Sequence, residues 1–179
     1  MKLFVVRHGQ TSYNVENKVC GSTDADLNET GIMQAKAAAQ KFSDIHIDKV
    51  YSSPLRRALK TAEIIAAKVN INKEDIIIDK RLSEQDYGIY EGVDAGCEEF
   101  QRLRVNFACK MPGGESPMQT AVRAYKFLDE ICDADSNKNV LIVTHGSLSR
   151  AINSYFYNMD NDEYFRFMPD NCGILEYTV

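Results

Sequence analysis

The chain has 179 residues, 44% hydrophobic and 26% charged, with a formal net charge of −5; that suits one globular domain with its own core and argues against a general nucleic-acid surface, which needs clustered Lys and Arg. Five cysteines without a C-x-x-C pair argue against a disulfide framework or a zinc site, and read as free thiols of a reducing cytoplasm, with Cys132 and Cys172 packed like small apolar residues. No stretch approaches the length of a membrane span, and Met1-Lys2 leads into an apolar run too short for a signal peptide.

Lys2–Val6 is a continuous apolar run and reads as a strand buried on both faces. A polar stretch follows from Arg7 to Asp26. A helix is predicted over Asn28–Phe42, with Asn28 as N-cap and the Ala35–Ala39 region as a strong helix former. Ile47–Tyr51 is the second strand. Ser53 and Pro54 then read as cap and first residue of a helix running to about Val69. Asp75–Asp79 is the third strand, and Leu82–Pro112 is irregular. A helix is predicted over Pro117–Asp133, packing through Val122, Tyr125, Phe127, Leu128 and Ile131. Val140–Val143 is the fourth strand, Ser147–Tyr157 a helix and Gly173–Val179 a final strand. This alternation implies a three-layer α/β fold, a mostly parallel central sheet with helices on both faces. Residues 1–179 are read as one domain, with a short irregular cap around 93–115.

Two of the three histidines share a context: an apolar strand, then His-Gly, then polar residues. These are Arg7-His8-Gly9 and Thr144-His145-Gly146. Both fall at the carboxyl ends of strands, where open parallel sheets bind ligands. His46, in Asp44-Ile45-His46-Ile47, has no following glycine and reads as structural. Packing accounts poorly for Arg7 beside His8, since an unpaired charge at a buried strand end is costly; a bound phosphate accounts for it better. Arg56 and Arg57 open a helix after a strand, where the dipole favours anions rather than arginine. One of the pair, Arg56, reads as solvated.

Taken together, Arg7-His8-Gly9-Gln10-Thr11 with Asn14, the run Gly21–Asp24 with Leu27, Gly31, Gln34 and Ala35, Ser52-Ser53-Pro54-Leu55-Arg56-Arg57-Ala58, Leu82-Ser83-Glu84 before Tyr87-Gly88, and Thr144-His145-Gly146 resemble the histidine phosphatase superfamily. The likeness is to the phosphoglycerate-mutase-like group, in the family's order over nearly the whole chain, and Gly113-Gly114-Glu115-Ser116 resembles a run common among its small phosphatases. The resemblance implies a phosphomonoesterase acting on a small phosphorylated metabolite, without metal or cofactor. His8 is then the nucleophile that carries the phosphoryl group, Glu84 the acid and base, and Arg7, Arg57 and a protonated His145 the groups around the phosphate oxygens. Asn14, Thr11, Gln10 and Gly146 are candidate phosphate-binding residues, with ordinary loop hydrogen bonding as the alternative for Thr11. Glu91 is expected to be structural and Glu115 is open. Arg102, Arg104 and Lys110 would either bind an acidic substrate or form a solvated face. A phosphoglycerate mutase is the alternative activity, disfavoured by the short Gly92–Gly113 connection; a non-catalytic phospholigand-binding module ranks last. Partners in the form of nucleic acid or membrane are not expected, and the oligomeric state is left open.

Overall fold

A computed structural model describes residues 1–179. In chain order the elements are β1 (Lys2–Arg7), α1 (Ser12–Val15), α2 (Glu29–Gln40), β2 (Lys49–Ser52), α3 (Arg56–Lys68), β3 (Ile77–Ile78), α4 (Glu98–Arg104), α5 (Pro117–Ala134), β4 (Asn139–Thr144), α6 (Gly146–Phe156), α7 (Asn161–Arg166) and β5 (Ile174–Thr178). The strands form one sheet in the order β3-β2-β4-β1-β5. β1, β4, β2 and β3 run parallel, and β5 alone is antiparallel, against β1. This is the expected α/β architecture. No helix is long and apolar enough to cross a membrane.

Side chains alternate across the strands, so the apolar runs feed two cores. Phe4, Val6, Val50, Leu141 and Val143 pack on one face with Ala35, Ala38 and Ala39 of α2 and Ala58, Ala62 and Ala66 of α3. Leu3, Val5, Tyr51, Val140 and Ile142 pack on the other with Phe127, Leu128, Ile131, Leu148 and Ile152 of α5 and α6. The alanines let α2 and α3 lie close to the sheet, and each large fully buried side chain contributes on the order of 1.5–3 kcal/mol.

Several local expectations hold. Asn28 caps α2 by accepting from the Gly31 N–H at 2.8 Å. Ser116 and Gln119 form a reciprocal capping box at α5, with Pro117 in the first turn. Others do not hold. α3 begins at Arg56, and neither Ser53 nor Pro54 belongs to it. Ser53 accepts from the Leu55 N–H but is otherwise committed to His145. The third strand is two residues long and exposed, because it pairs only with the end of β2. Val122 does not pack, since it lies on the outer face of α5 and is 49% exposed. Cys172 is buried, whereas Cys132 is only half-buried. The stretch read as irregular contains α4, whose Glu98, Glu99, Arg102 and Arg104 match the helix dipole at its two ends. Phe100 anchors α4 in a third small core with Val19, Tyr90 and Met111.

Candidate active site

The carboxyl ends of β1, β4 and β2 meet at one edge of the sheet. The backbone ladder continues past the strands: the His8 N–H donates to Thr144 O at 2.9 Å and the Ser53 N–H to Val143 O at 3.1 Å. His8, His145 and Ser53 are thereby brought side by side, and the rings of His8 and His145 lie 5.1 Å apart. Gly9 permits the approach of α2, since a Cβ there would lie 2.5 Å from Gly31 O.

Gly9 also decides the chemistry of His8. The Nδ1 of His8 lies 2.7 Å from Gly9 O. A carbonyl only accepts, so Nδ1 carries the proton and Nε2 keeps its lone pair. Burial first, then the charges of Arg57 and Arg7, push the His8 pKa well below its ordinary value. The ring is neutral, as a nucleophile must be.

Arg57 is fully buried. Its Nη atoms donate to Thr23 O and Gly21 O at 2.7 Å each, and its Nε has no partner. Arg7 donates to Pro169 O at 2.8 Å, and its Nε is likewise buried without a partner. Neither guanidinium is paired with a carboxylate. His145 is fully buried, with Nε2 2.7 Å from Ser53 Oγ and Nδ1 unpartnered. Buried polar atoms without a partner are costly unless a ligand completes them, so the donor set fits a phosphate. Burial, Arg57 and His8 push the His145 pKa well below its ordinary value. The protein groups around it favour the neutral ring, whereas a phosphate dianion, beside which a charged His145 is expected, works in the opposite direction.

Glu84 is 8% exposed. Its Oε1 accepts from the Gln85 N–H at 2.9 Å and its Oε2 from the Ser147 N–H at 3.0 Å, which ties it to the first turn of α6. Arg7, His8, Asn14, Glu84 and Gly146 line one cavity of about 290 Å³, whereas Arg57 and His145 are fully buried and do not line it. Asn14 Oδ1 accepts from Thr11 N and Oγ1 and from Asn171 Nδ2, so its amide N–H groups remain for a ligand. Thr11 and Gln10 are not brought to the cavity. Thr11 spends its hydroxyl capping α1, and Gln10 accepts from Asn28 Nδ2.

Glu91 and Glu115 both hold backbone. Glu91 accepts from the N–H groups of Gly21, Ser22, Thr23 and Tyr87. Glu115 pairs with Arg123, whose guanidinium also reaches the carbonyls of Arg81, Ser83 and Glu84. Arg56 is exposed and pairs with Asp24 and Asp26. Of the three basic residues in the cap, Arg104 lines the cavity, whereas Arg102 and Lys110 are exposed. Sequence reasoning passed over Arg150 and Met168 and gave Tyr87 no role, yet all three line the cavity. Arg150 carried a legible signal, four residues after Gly146 and so on the same face of a helix. No cluster of three or more His, Cys, Asp or Glu side chains is arranged to hold a metal ion.

The sequence pattern of the histidine phosphatase superfamily (branch 1) matches residues 3–179. Phosphoserine phosphatase 1 of Hydrogenobacter thermophilus is 33% identical over 180 residues, which span 97% of this chain and 84% of that protein. A probable phosphoglycerate mutase of Cronobacter sakazakii is 32% identical, over 97% of this chain and 83% of that one. The solved structure of mycobacterial glucosyl-3-phosphoglycerate phosphatase complexed with VO3 is similar with a TM-score of 0.85 at 27% identity, covering 98% of this chain and 91% of that one.

Proposed function

This chain belongs to the histidine phosphatase superfamily and is a phosphomonoesterase of small phosphorylated metabolites, and we propose that it works through a phosphohistidine on His8 without a metal ion. The observation that carries the mechanism is the hydrogen bond from His8 Nδ1 to Gly9 O, which leaves a lone pair on Nε2 in the field of Arg57 and Arg7, whose Nε atoms have no partner. Nε2 attacks phosphorus in line; the N–P bond forms as the P–O ester bond breaks. The leaving alkoxide takes a proton from Glu84. Water then attacks the phosphohistidine and gives a proton to Glu84, the N–P bond breaks and inorganic phosphate leaves. Arg7, Arg57, His145 and the Asn14 amide offset charge on the non-bridging oxygens, and the incoming dianion favours the charged form of His145. Residues 1–179 serve as one catalytic domain, with 93–115 as its cap. The free thiols fit a reducing compartment, and we place the enzyme in the cytoplasm.

The test is hydrolysis of an aryl phosphate without added metal, which His8→Ala abolishes, together with acid-labile phosphate trapped on His8 in the parent. Full activity in His8→Ala, or phosphate trapped elsewhere, refutes the mechanism. The mutase among the relatives keeps a second reading in view, in which the same residues return the phosphoryl group to bound phosphoglycerate. That reading prevails if phosphoglycerate isomers interconvert faster than inorganic phosphate appears.

A further inference from the structure

We propose that Ser53 is a positioning residue that fixes the ring proton of His145 on Nδ1, so that His145 is a hydrogen-bond donor to the phosphate even as a neutral ring; this deepens the phosphatase reading of the site and rests on it. Ser53 follows β2 directly and is fully buried, as is His145. Its N–H donates to Val143 O at 3.1 Å, which sets the side chain beside the end of β4. Its Oγ lies 2.7 Å from His145 Nε2 and accepts from the Leu55 N–H at 3.3 Å. A hydroxyl has one proton to give and two lone pairs. The Leu55 N–H takes one lone pair, and the proton has no acceptor other than Nε2. Two arrangements of the neutral ring remain. With the ring proton on Nε2, the hydroxyl proton and a bare Nδ1 would both be buried without a partner. With Oγ donating to Nε2, the Nδ1–H alone is left over. Buried orphans are costly, so the second arrangement prevails, and its one orphan is a donor that a phosphate oxygen completes.

A donor that needs no charge suits these surroundings. Arg57 of α3, His8 and Arg7 at the end of β1 and Arg123 of α5 all work against a charge on the His145 ring, as does its burial. Glu84 is the carboxylate nearby, and both of its oxygens are tied to backbone N–H groups, one of them in α6. A neutral ring with its proton on Nε2 would turn a lone pair towards the phosphate oxygens and repel them. With Ser53 in place the Nδ1–H is present in both forms of the ring. When a dianion has charged it, Nε2 carries a proton as well and donates to Oγ, which has a lone pair free for it. The two histidines are thus set by opposite partners. A carbonyl beside Nδ1 makes His8 a nucleophile, and a hydroxyl donor beside Nε2 makes His145 a donor.

The test reads the proton directly and then its effect on rate. Heteronuclear NMR of isotope-labelled histidine at pH 7.5 gives the tautomer of each ring, with His8→Ala and His46→Ala spectra assigning the signals. The expected result is a neutral His145 protonated on Nδ1 in the parent, and protonation on Nε2 appearing in Ser53→Ala. In that variant kcat/KM for an aryl phosphate is expected to fall at least about tenfold at pH 8, the scale of a lost transition-state donor. The deficit relative to the parent is expected to shrink towards pH 5.5, because a charged ring carries the Nδ1–H whatever its neighbour, and loss of a donor to the neutral form raises the His145 pKa. A neutral His145 protonated on Nε2 in the parent overturns the proposal, as does an unchanged rate in Ser53→Ala or a deficit equal at every pH. Circular dichroism checks the variant, and the parent spectrum decides even where Ser53→Ala misfolds. Failure of the phosphatase reading shows separately, as absence of aryl phosphate hydrolysis in a parent protein whose tautomers are still read.

Discussion

The Arg57 cradle can be tested through Glu91, which touches no ligand. Glu91 Oε1 accepts from the N–H groups of Ser22 and Tyr87 at 3.0 and 3.1 Å, and Oε2 from those of Gly21 and Thr23 at 2.9 and 3.2 Å. The carbonyls of Gly21 and Thr23 in turn hold Arg57. Glu91→Gln keeps the shape but turns one oxygen into an NH₂ group that faces two N–H donors. A hydrogen bond to a charged group contributes about 1.5–3 kcal/mol. Two are lost, but water reaches this surface and recovers part, so a net loss of about 2 kcal/mol is expected. For a chain of this size that is about 4–8 °C in Tm. Arg57 loses its fixed carbonyls at the same time, and kcat for an aryl phosphate is expected to fall at least about tenfold, a loss of roughly 1.4 kcal/mol in transition-state stabilisation. Thermal unfolding and initial rates measure both. A Tm within about 1 °C of the parent with unchanged kcat would refute the reasoning.

Stability is also expected to depend on the buried histidines. The pKa values of His8 and His145 are pushed well below ordinary, foremost by burial, so the unfolded chain binds protons that the folded one does not. Their contribution is complete above about pH 6.5 and falls as pH drops below it, by up to about 2.7 kcal/mol per pH unit for the two. Denaturation at pH 7.5 and 5.5 measures this, and His8→Ala should reduce the slope. At the far end of the sheet, Asp135 is 1% exposed and accepts from Tyr51, Lys49 and Lys138. Asp135→Ala strands the Tyr51 hydroxyl and is expected to cost on the order of 3 kcal/mol, with kcat/KM unchanged well below Tm; an equal loss of activity would contradict the separation of the two ends. Finally, hydrolysis is expected to proceed at the same rate in a chelator, since Arg7 and Arg57 supply the charge; loss of activity restored by a divalent ion would contradict this.

The sheet was legible because Leu3–Val6 and Val140–Val143 are apolar runs that only a doubly covered strand explains. Helix ends were legible where the cap is local, as at Asn28 and Ser116, and misread where tertiary structure claims the residue. Ser53 looks like a cap, yet its hydroxyl is needed by His145, 92 positions away. The triplets at His8 and His145 were legible as strand-end motifs, whereas the roles of Gln10 and Thr11 depend on hydrogen bonds that only the packed loops define. Arg104 stood undecided because α4 has one buried anchor, Phe100, too little for a helical pattern to show. Arg150 was missed because an arginine in an amphipathic helix usually faces water; here the rings of α7 cover it.

The position of β1 has a kinetic consequence. It precedes every other strand of the sheet, and both of its neighbours, β4 and β5, come from the last third of residues 1–179. Leu3 pairs with Val140, 140 − 3 = 137 residues later. At about 5–20 residues per second of synthesis, the apolar Leu3–Val6 run waits roughly 7–27 s for its partner. Closing so long a loop slows folding more than it alters stability. A growing chain therefore has no complete sheet, and no working nucleophile, until β4 has left the ribosome, and until then that run is the part of the molecule most in need of protection from aggregation.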